Sequence, residues 1–595
     1  MTIQFNQIPA NIRVPFMYFE INPGQAPYVS NARVLLIGQK TTAGTAVQDA
    51  AIQVTGGEDG LFGINSQLAA MYVAARKVGA LQEIWAVPLA DAGGSAASLG
   101  AINLNRTADA NGTLVYYIGD VRVQVPYNNT MTVTAAATAL IAGINACPGM
   151  QVTASSLSTG AKSVGTQTIV GTATAAGIYT FALNNVKVNI TVPIGMTAAL
   201  LAAAIVAGGN ATPGISNYVI LSNVGGVITL TALSTGTRIT NMQIAAASTA
   251  TGIATPATTF MIGGVGDVVR LTANNKGTLG NTIGVDYSVN PLDPGTATYM
   301  TTLVAMAGGA SDPAITNALA NLGDQEFDWI AMPYPQYYSQ LEAFLEARWA
   351  YSSQVYGFGI TAYEATAGAL SALGAALNGP YIAILGVYNI PAPAYLWVAQ
   401  VATICAVHLQ SPPELSRPLQ TLPLIGMSPA NVLGNRWTAL ERQSFYFSGI
   451  SACTERRDGT VVIDRLISTY QTDVWGSQDS TWLDVNTLAQ VMYGTRYLKQ
   501  LLSSTYPRVA LANQNPNNLQ GVVTAADLRN TIIHGYKQLC DLGVFDDADL
   551  FAQLLVVERN SQDPDRVDCY LPVETVGQLR ILAANMSVYL QYQKV

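Results

Sequence analysis

The sequence predicts a mixed α/β fold, α+β overall. It should comprise an open, mostly parallel α/β core with a β-rich inserted domain, a C-terminal α+β domain, and extended N- and C-terminal arms. Strand and helix patterns alternate over about 32–92 and again over 300–410, as in parallel sheets with right-handed crossovers. Between them, residues 121–260 contain only 4 charged residues and several alternating, strand-like runs. The two halves of the core should therefore form one sheet from which the insert projects.

Residues 1–31 are predicted to form an extended arm, because Pro and Asn residues interrupt their apolar positions. The apolar positions taken as candidate contacts are Ile3, Phe5, Ile8, Val14, Phe16 and Tyr18. Such an arm can add a strand to an open sheet edge, with backbone hydrogen bonds providing affinity. The first residues lack the basic start and apolar run of a signal peptide, so no secretory signal is expected.

The core domain is predicted to be discontinuous, comprising residues 32–100 and 291–410. Its first half contains a buried-type strand at 34–38, a helix at 64–78 and a strand at 83–88. In the second half, the predicted strands are 327–332, 355–361 and 380–388, and the predicted helices are 337–350, 363–377 and 394–408.

Residues 101–290 are predicted to form the β-rich insert, which contains an internal repeat. Residues 112–155 and 177–210 both give a strand, a turn, a second strand, Met-Thr and an Ala-rich helix. The strand pattern that completes the first copy returns only at 266–290, so a second module, at about 156–265, is predicted to be nested within the first. Two copies are too few for a solenoid.

A membrane-spanning helix is not predicted, because one needs about 20 mostly apolar residues. The best candidate, 194–208, is shorter than this, and Asn, Gly and Pro flank it instead of interfacial aromatic or basic residues. We interpret it as a buried amphipathic helix.

The composition excludes two broad classes of protein. Charged residues make up 11% of the 595 residues, hydrophobic residues make up 50%, and the net charge is −8. A disordered chain would be more charged and less apolar. A nucleic-acid binder would carry a basic patch, and the sequence has no Lys/Arg-rich run. The scarcity of charge suggests that much of the surface is hidden against partners.

No catalytic, cofactor-binding or metal-binding residues are predicted, so the sequence indicates a protein that is not an enzyme. The Gly-rich run at 56–60 matches neither common nucleotide-binding pattern. The two histidines, His408 and His534, are isolated. The five cysteines are widely spaced without a CxxC pair, and we expect free, buried thiols in a reducing compartment.

Residues 411–595 are predicted to form the C-terminal domain, which ends in a strand-like segment. It contains a series of ordered motifs at Arg417–Gly426, Glu441-Arg442, Ser448–Ile450, Asp458–Gln471, Asp479–Leu488, Leu555–Asn560 and Asp563–Pro572. Together with Ile3–Pro9, Arg13–Pro15, Phe62-Gly63 and Leu271–Asn281, these motifs resemble the contractile tail sheath protein of Mu-like bacteriophages and prophages. The resemblance spans nearly the whole chain and departs from the family pattern at about 156–265.

The resemblance implies a structural subunit that polymerises as stacked hexameric rings around a tail tube. Contraction of the sheath would drive the tube through the host envelope for genome ejection. The implied partners are other sheath subunits, the tail tube protein, and the baseplate and tail terminator proteins, without direct nucleic-acid or membrane contact. The protein would be assembled in the bacterial cytoplasm and located in the virion. A further implication is that the arms weave neighbouring subunits together.

Two groups of residues are therefore candidate sites. Residues 576–593 would form the C-terminal strand arm, with Leu579, Ile581, Val588 and Leu590 as contacts. The predicted helix 485–506 and its neighbourhood would face the tube through Arg496, Lys499 and Arg508. The alternatives are a C-terminal strand that pairs within its own chain, and basic residues that form a solvated helix face.

Two other functions remain open. The chain could be the sheath of a phage-tail-like bacteriocin, which the sequence does not distinguish from a virion sheath. A non-contractile phage surface protein or adhesin would share the Thr/Ala/Gly-rich composition. Such a protein would lack the α/β core and the ordered C-terminal motifs.

Overall fold

A computed structural model of the chain describes residues 32–287, 292–294, 300–517 and 519–588. These residues form two compact units, one made of 32–408 and 418–487 and the other of 409–417 and 488–588. The arm predicted for 1–31, with Ile3, Phe5, Ile8, Val14, Phe16 and Tyr18, lies outside the described residues, as does Leu590.

An eight-stranded sheet forms the centre of the first unit, and the predicted mixed α/β class is confirmed. Its strands lie in the order Ile52–Gln53, Glu83–Leu89, Arg33–Gln39, Trp329–Ala331, Phe358–Glu364, Ile382–Val387, Ile450–Glu455 and Val461–Arg465. Neighbouring strands run parallel except at the two edges, where the pairing is antiparallel. The continuous apolar runs of the inner strands are fully buried, as expected of strands buried on both faces.

The helices associated with this sheet follow the predicted alternation. They are Glu58–Phe62, Gln67–Val78, Thr316–Ala320, Tyr338–Trp349, Ala367–Ala375, Ala394–His408 and Ala439–Phe447. Helix Gln67–Val78 begins where the Ser66 hydroxyl accepts a hydrogen bond from the Ala69 backbone N–H, three residues later than predicted.

The structure moves the boundary predicted at residue 410. The last two strands of the core sheet, Ile450–Glu455 and Val461–Arg465, come from the segment that the sequence analysis assigned to the C-terminal domain. The strand at 450 pairs in parallel with Ile382–Val387. Its apolar run is short and followed by charged residues, so its pattern did not indicate a buried strand. The first unit consequently continues to residue 487.

The insert begins with strand Ala97–Leu104 and returns to the core after strand Thr301–Ala307, so it is longer than the predicted 101–290. Its first module contains two sheets and the helix Val133–Ala146. One sheet has the order Thr301–Ala307, Ala97–Leu104, Asp267–Lys276 and Val152–Ser158; the other has the order Val285–Tyr287, Gly112–Ile118 and Val121–Tyr127. Buried residues from 102–154 and 269–306 form its hydrophobic core.

The second module has a separate core, formed only by residues between 169 and 261. Its helices are Ala198–Ala211 and Pro213–Ser216, and its strands are Lys162–Thr168, Val170–Gly171, Gly177–Leu183, Val186–Val192, Val219–Val224, Val227–Thr235, Gln243–Ser248, Ile253–Ala254 and Thr259–Phe260. The chain thus leaves the first module, completes the second, and returns to the first.

The repeated Met-Thr pair marks the start of the corresponding helix in each module. Thr132 Oγ1 accepts a hydrogen bond from the Ala135 N–H at 3.1 Å, and Thr197 Oγ1 accepts one from the Leu200 N–H at 3.4 Å. The candidate span at 194–208 becomes the second of these helices, with one face buried. Within the described ranges, no helix is long and apolar enough to cross a membrane.

The second unit is smaller and mainly helical. Its helices are Val485–Thr505, Ala525–Asp541 and Ala548–Leu554, and its strands form two pairs, Ala510–Leu511 with Val522–Val523 and Val556–Arg559 with Val567–Tyr570.

All five cysteines are free, but only Cys405 and Cys453 are buried. The expectation of buried thiols is therefore wrong for the other three, of which Cys569 on the last strand is exposed.

Candidate assembly surfaces

The C-terminal segment leaves the second unit at a well-defined point. The Asp546 N–H donates to the Glu574 carbonyl at 3.0 Å, and the Val576 N–H donates to the Val544 carbonyl at 3.2 Å. The buried Gln490 side chain donates to the Val576 carbonyl at 3.0 Å. These bonds fix where the segment starts, so its direction of exit is set by the folded unit.

Beyond this point the chain exposes a run of apolar side chains. Residues 577–588 have no regular secondary structure, and Leu579, Ile581, Leu582, Met586 and Val588 are 77–85% exposed. Burying a large apolar side chain is favourable by about 1.5–3 kcal/mol. A run of such side chains left exposed to water therefore indicates an interaction site. Within the described residues, 577–588 form no β-strand with another part of their own chain.

A two-stranded hairpin in the same unit offers open edges. Strand Val556–Arg559 pairs antiparallel with Val567–Tyr570, and no third strand joins them within the described part of the chain. An isolated hairpin is marginally stable in water, and its outer backbone groups can pair with another chain. Val556 and Tyr570, which lie opposite each other, are both about half exposed or more.

The loop of this hairpin is held by side chains. Asn560 Nδ2 donates to Asp568 Oδ2 and Arg566 Nε donates to Asp568 Oδ1, both at 2.6 Å. These bonds keep the two strands in register although the loop is exposed. Sequence reasoning missed this hairpin. Its signal was two short runs that begin with Val, separated by a Pro-, Asp- and Asn-containing loop.

Two helices in the same unit, Ala525–Asp541 and Ala548–Leu554, are held together by a stacked pair of aromatic rings. The Tyr536 ring stacks on the Phe551 ring with centroids 3.6 Å apart, and the Tyr536 hydroxyl donates to the Asp546 carbonyl at 2.8 Å. Burial raises the pKa of Tyr536 to about 12, so the hydroxyl remains a donor at neutral pH.

Two of the three candidate tube-facing residues lie on one helix. Arg496 and Lys499 are one turn apart on Val485–Thr505, whereas Arg508 follows the end of that helix. Lys499 and Arg508 are exposed, and Arg496 is half-buried. Their spacing is compatible with either a contact surface or a solvated face.

The crevice where doubly wound sheets bind ligands is filled by the insert. Strand Arg33–Gln39 lies where the strand order reverses, and ligands of such sheets bind at the carboxyl ends there. Gln39 Nε2 donates to the Lys276 carbonyl at 2.7 Å, and the Gln67 backbone N–H donates to Asn275 Oδ1 at 2.8 Å. The Tyr334 hydroxyl donates to both glutamines. The insert therefore occupies the position of a ligand, and we call the contacts among Gln39, Gln67 and Asn275 the joint between the insert and the sheet.

Two partly buried glutamates with raised pKa values are held by separate backbone contacts. Burial raises the pKa of Glu342 and of Glu364 to about 7, but one lies on helix Tyr338–Trp349 and the other ends strand Phe358–Glu364. Each carboxylate accepts a backbone N–H, from Tyr381 and Asn389 respectively. The residues placed by the structure include no group of three or more His, Cys, Asp or Glu side chains suited to a metal.

Two family models and one full-length relative match this chain. Residues 308–469 match the phage tail sheath protein central domain, and residues 477–589 match the phage tail sheath C-terminal domain. The chain is 26% identical over 597 residues to the Mu-like prophage FluMu tail sheath protein of Haemophilus influenzae, covering 98% of this chain and 99% of that protein.

Two solved structures are similar over most of the chain. A sheath tail protein from Desulfitobacterium hafniense overlaps with a TM-score of 0.41 at 11% identity, covering 94% of this chain and 97% of that one. A sheath tail protein from Listeria innocua overlaps with a TM-score of 0.40 at 13% identity, covering 92% of each chain.

Proposed function

Because the chain belongs to the phage tail sheath family, a family of structural proteins rather than enzymes, we propose that it forms a contractile sheath. Its subunits polymerise as stacked hexameric rings around a tail tube, and contraction drives the tube through the host envelope for genome ejection. The chain is a structural component of the phage tail and so of the virion. Assembly takes place in the host cytoplasm.

One observation carries the proposal: the second unit combines an exposed apolar segment with an open hairpin. Residues 577–588 supply a potential strand, and the edges of Val556–Arg559 and Val567–Tyr570 supply potential acceptors. Donor and acceptor are different surfaces of the same chain, so their pairing between copies is head-to-tail. Head-to-tail contacts that do not close on themselves generate helical polymers.

Residues 1–31 act as a second strand donor in this proposal. Pro and Asn residues interrupt the apolar positions of this segment, and its only charged residues are Arg13 and Glu20. The hairpin has two edges, so it can accept strands from more than one neighbour. Contraction then rearranges nearly rigid subunits, and the arms between them act as hinges.

The tail tube protein is the proposed inner partner, with Arg496, Lys499 and Arg508 as its candidate contacts. The baseplate and tail terminator proteins would contact the two ends of the polymer. The insert, including the module at about 156–265, lies away from the tube in this proposal; the core of that module contains no residue of the central sheet.

Electron microscopy of the purified full-length chain tests the proposal. We expect negative stain to show hollow, striated tubes, and a variant lacking residues 1–20 to form none under the same conditions. Ile194→Glu is the control and should still assemble, because Ile194 is a 71% exposed residue in a turn of the insert, outside both the hairpin and the arms. Undiminished tube formation without residues 1–20 would show that the N-terminal arm is not a strand donor.

A further inference from the structure

One face of a small sheet in the second module is open to solvent. The strands Val219–Val224, Val227–Thr235 and Lys162–Thr168 bury Leu221 and Ile228 in the module core. On the opposite face, Ile220 pairs with Thr231, Thr231 with Val164, and Val164 with Ile262, which extends the row across a fourth segment.

We call this outer surface the module face. Its large apolar side chains are 37–85% exposed and are Val164, Tyr218, Ile220, Val224, Val227, Leu233, Phe260 and Ile262. Hydroxyl side chains fill positions between them, namely Ser222, Thr166, Thr168, Thr229 and Thr231. Arg238 covers one end, with its guanidinium 5.4 Å from the Tyr218 ring centroid.

The area of the module face matches that of a specific protein interface. At about 150–200 Å² for a fully exposed large apolar side chain, the eight residues expose roughly 600–800 Å². A standard interface buries about 800 Å² on each partner, whereas the largest apolar patch of a typical monomer is about 300–600 Å². The module face is therefore large enough to hold a partner by itself.

We propose that the module face docks onto a different surface of a second copy of this chain; this rests on the proposed function, which places copies side by side. Charge favours that occupant. Residues 156–265 carry Lys162, Lys187 and Arg238 and no acidic residue, a net charge of +3; Arg238 is paired with Asp109 of the first module at 3.0 Å, so the two lysines supply the remaining attraction. The chain as a whole carries −8, so the residues outside the module carry −11 and attract it.

A contact between two identical module faces is disfavoured by the same charges. It would bring the cations of two modules together, and a symmetric pair closes on itself and does not extend a polymer. Docking on the acidic remainder of a neighbour avoids both problems. Docking on a neighbour also explains why residues 156–265 carry so few charges, since a surface that is covered in the polymer does not need charged residues to keep it in water.

Two single substitutions and one matched control test the inference in the full-length chain. Ile220→Glu and Val224→Glu place a carboxylate on the module face, where both side chains are already exposed. Ile194→Glu makes the same change at a 71% exposed position in the same module, in a turn outside the three strands. All three variants should unfold at the temperature of the wild-type chain, because substitutions at exposed positions have small effects.

The readout is the protein concentration at which tubes form, measured by sedimentation. We expect the two module-face variants to require at least a ten-fold higher concentration and the Ile194→Glu variant to stay within two-fold of wild type. If both module-face variants assemble within two-fold of wild type, the inference is overturned, and another occupant would have to cover the face. Failure of the wild-type chain to form tubes would instead overturn the proposed function.

Discussion

Truncation of Ile581 to alanine should weaken assembly without changing the stability of the isolated chain. The side chain is 84% exposed in the C-terminal segment, so it has little packing to lose within its own chain. We expect the free energy of unfolding to change by less than about 0.5 kcal/mol. If the segment adds to a neighbour's hairpin, the same side chain becomes buried and its loss is measurable.

The size of the effect follows from the exposed area. Ile→Ala removes about three carbon atoms, each worth about 0.8 kcal/mol when buried, which gives about 2 kcal/mol per contact. A free-energy change of about 2 kcal/mol is roughly a 30-fold change in an association constant. The concentration needed for tube formation should therefore rise by about that factor.

Sedimentation across a dilution series measures this concentration, and thermal unfolding of the dispersed chain measures its stability. Ile194→Ala is the control, because Ile194 is similarly exposed but lies in the insert. Leu582→Pro tests the backbone separately, since it removes one N–H donor from a segment that has no regular structure in the single chain. If Ile581→Ala and Leu582→Pro both assemble at the wild-type concentration, the segment is not an added strand.

Four other outcomes are expected. Burial raises the pKa of Glu364 from 4.5 to about 7, so the stability linked to its protonated form is lost as the pH rises between these two values. Glu364→Gln should therefore raise the free energy of unfolding, measured in urea, by about 1–3 kcal/mol at pH 8 and leave it unchanged at pH 4. An equal gain at both pH values would contradict this. Asn275→Ala leaves the Gln67 N–H without its acceptor, so it should lower the free energy of unfolding by about 1–3 kcal/mol and speed hydrogen exchange at the Gln67 amide. Unchanged exchange at that amide would show that this hydrogen bond does not hold the insert to the sheet. Charge reversal at Arg496 and Lys499 should reduce assembly on the tail tube but not tube-free polymerisation, and equal loss of both would indicate a different role. Replacement of 162–264 by a two-residue turn should leave a sheath that still contracts, because Ala161 and Val265 already exchange backbone hydrogen bonds at 3.0 and 3.1 Å. Because the module face is lost with it, tubes should form only at the ten-fold or higher concentration expected of the module-face variants, and failure to assemble at any concentration would show that the second module is required.

The sequence predicted the regular parts of the fold well where periodicity was long and breakers were clear. Helix Ala394–His408 was predicted with the observed limits, and strand Glu83–Leu89 to within one residue. Their signals are local, since an apolar run between Gly or Pro residues leaves little choice of structure.

Features set by distant contacts were harder to predict. Strand Ile450–Glu455 is short, and its place in the core sheet depends on pairing with residues about 65 positions earlier. The joint of Gln39, Gln67 and Asn275 joins side chains from separate parts of the chain, which spacing cannot indicate. The hairpin at 556–570 was missed, because its two strands are only four residues long each and its open edges depend on which other strands lie beside it.

The distribution of charge agrees with an assembly protein. Residues 121–260 contain 4 charged residues, all basic, and this segment includes every residue of the module face except Ile262. Threonine and serine hydroxyls supply its polarity, which allows solvation before assembly and close packing afterwards. A strongly charged surface would instead have to lose its hydration when subunits pack together.

A cryo-electron microscopy reconstruction of the polymer formed by the full-length chain tests the central claim most directly. The account predicts that the hairpin Val556–Arg559/Val567–Tyr570 is flanked by strands from neighbouring copies, one of them containing Leu579 and Ile581. A polymer in which that hairpin remains two-stranded, with 577–588 packed against its own chain, would contradict it.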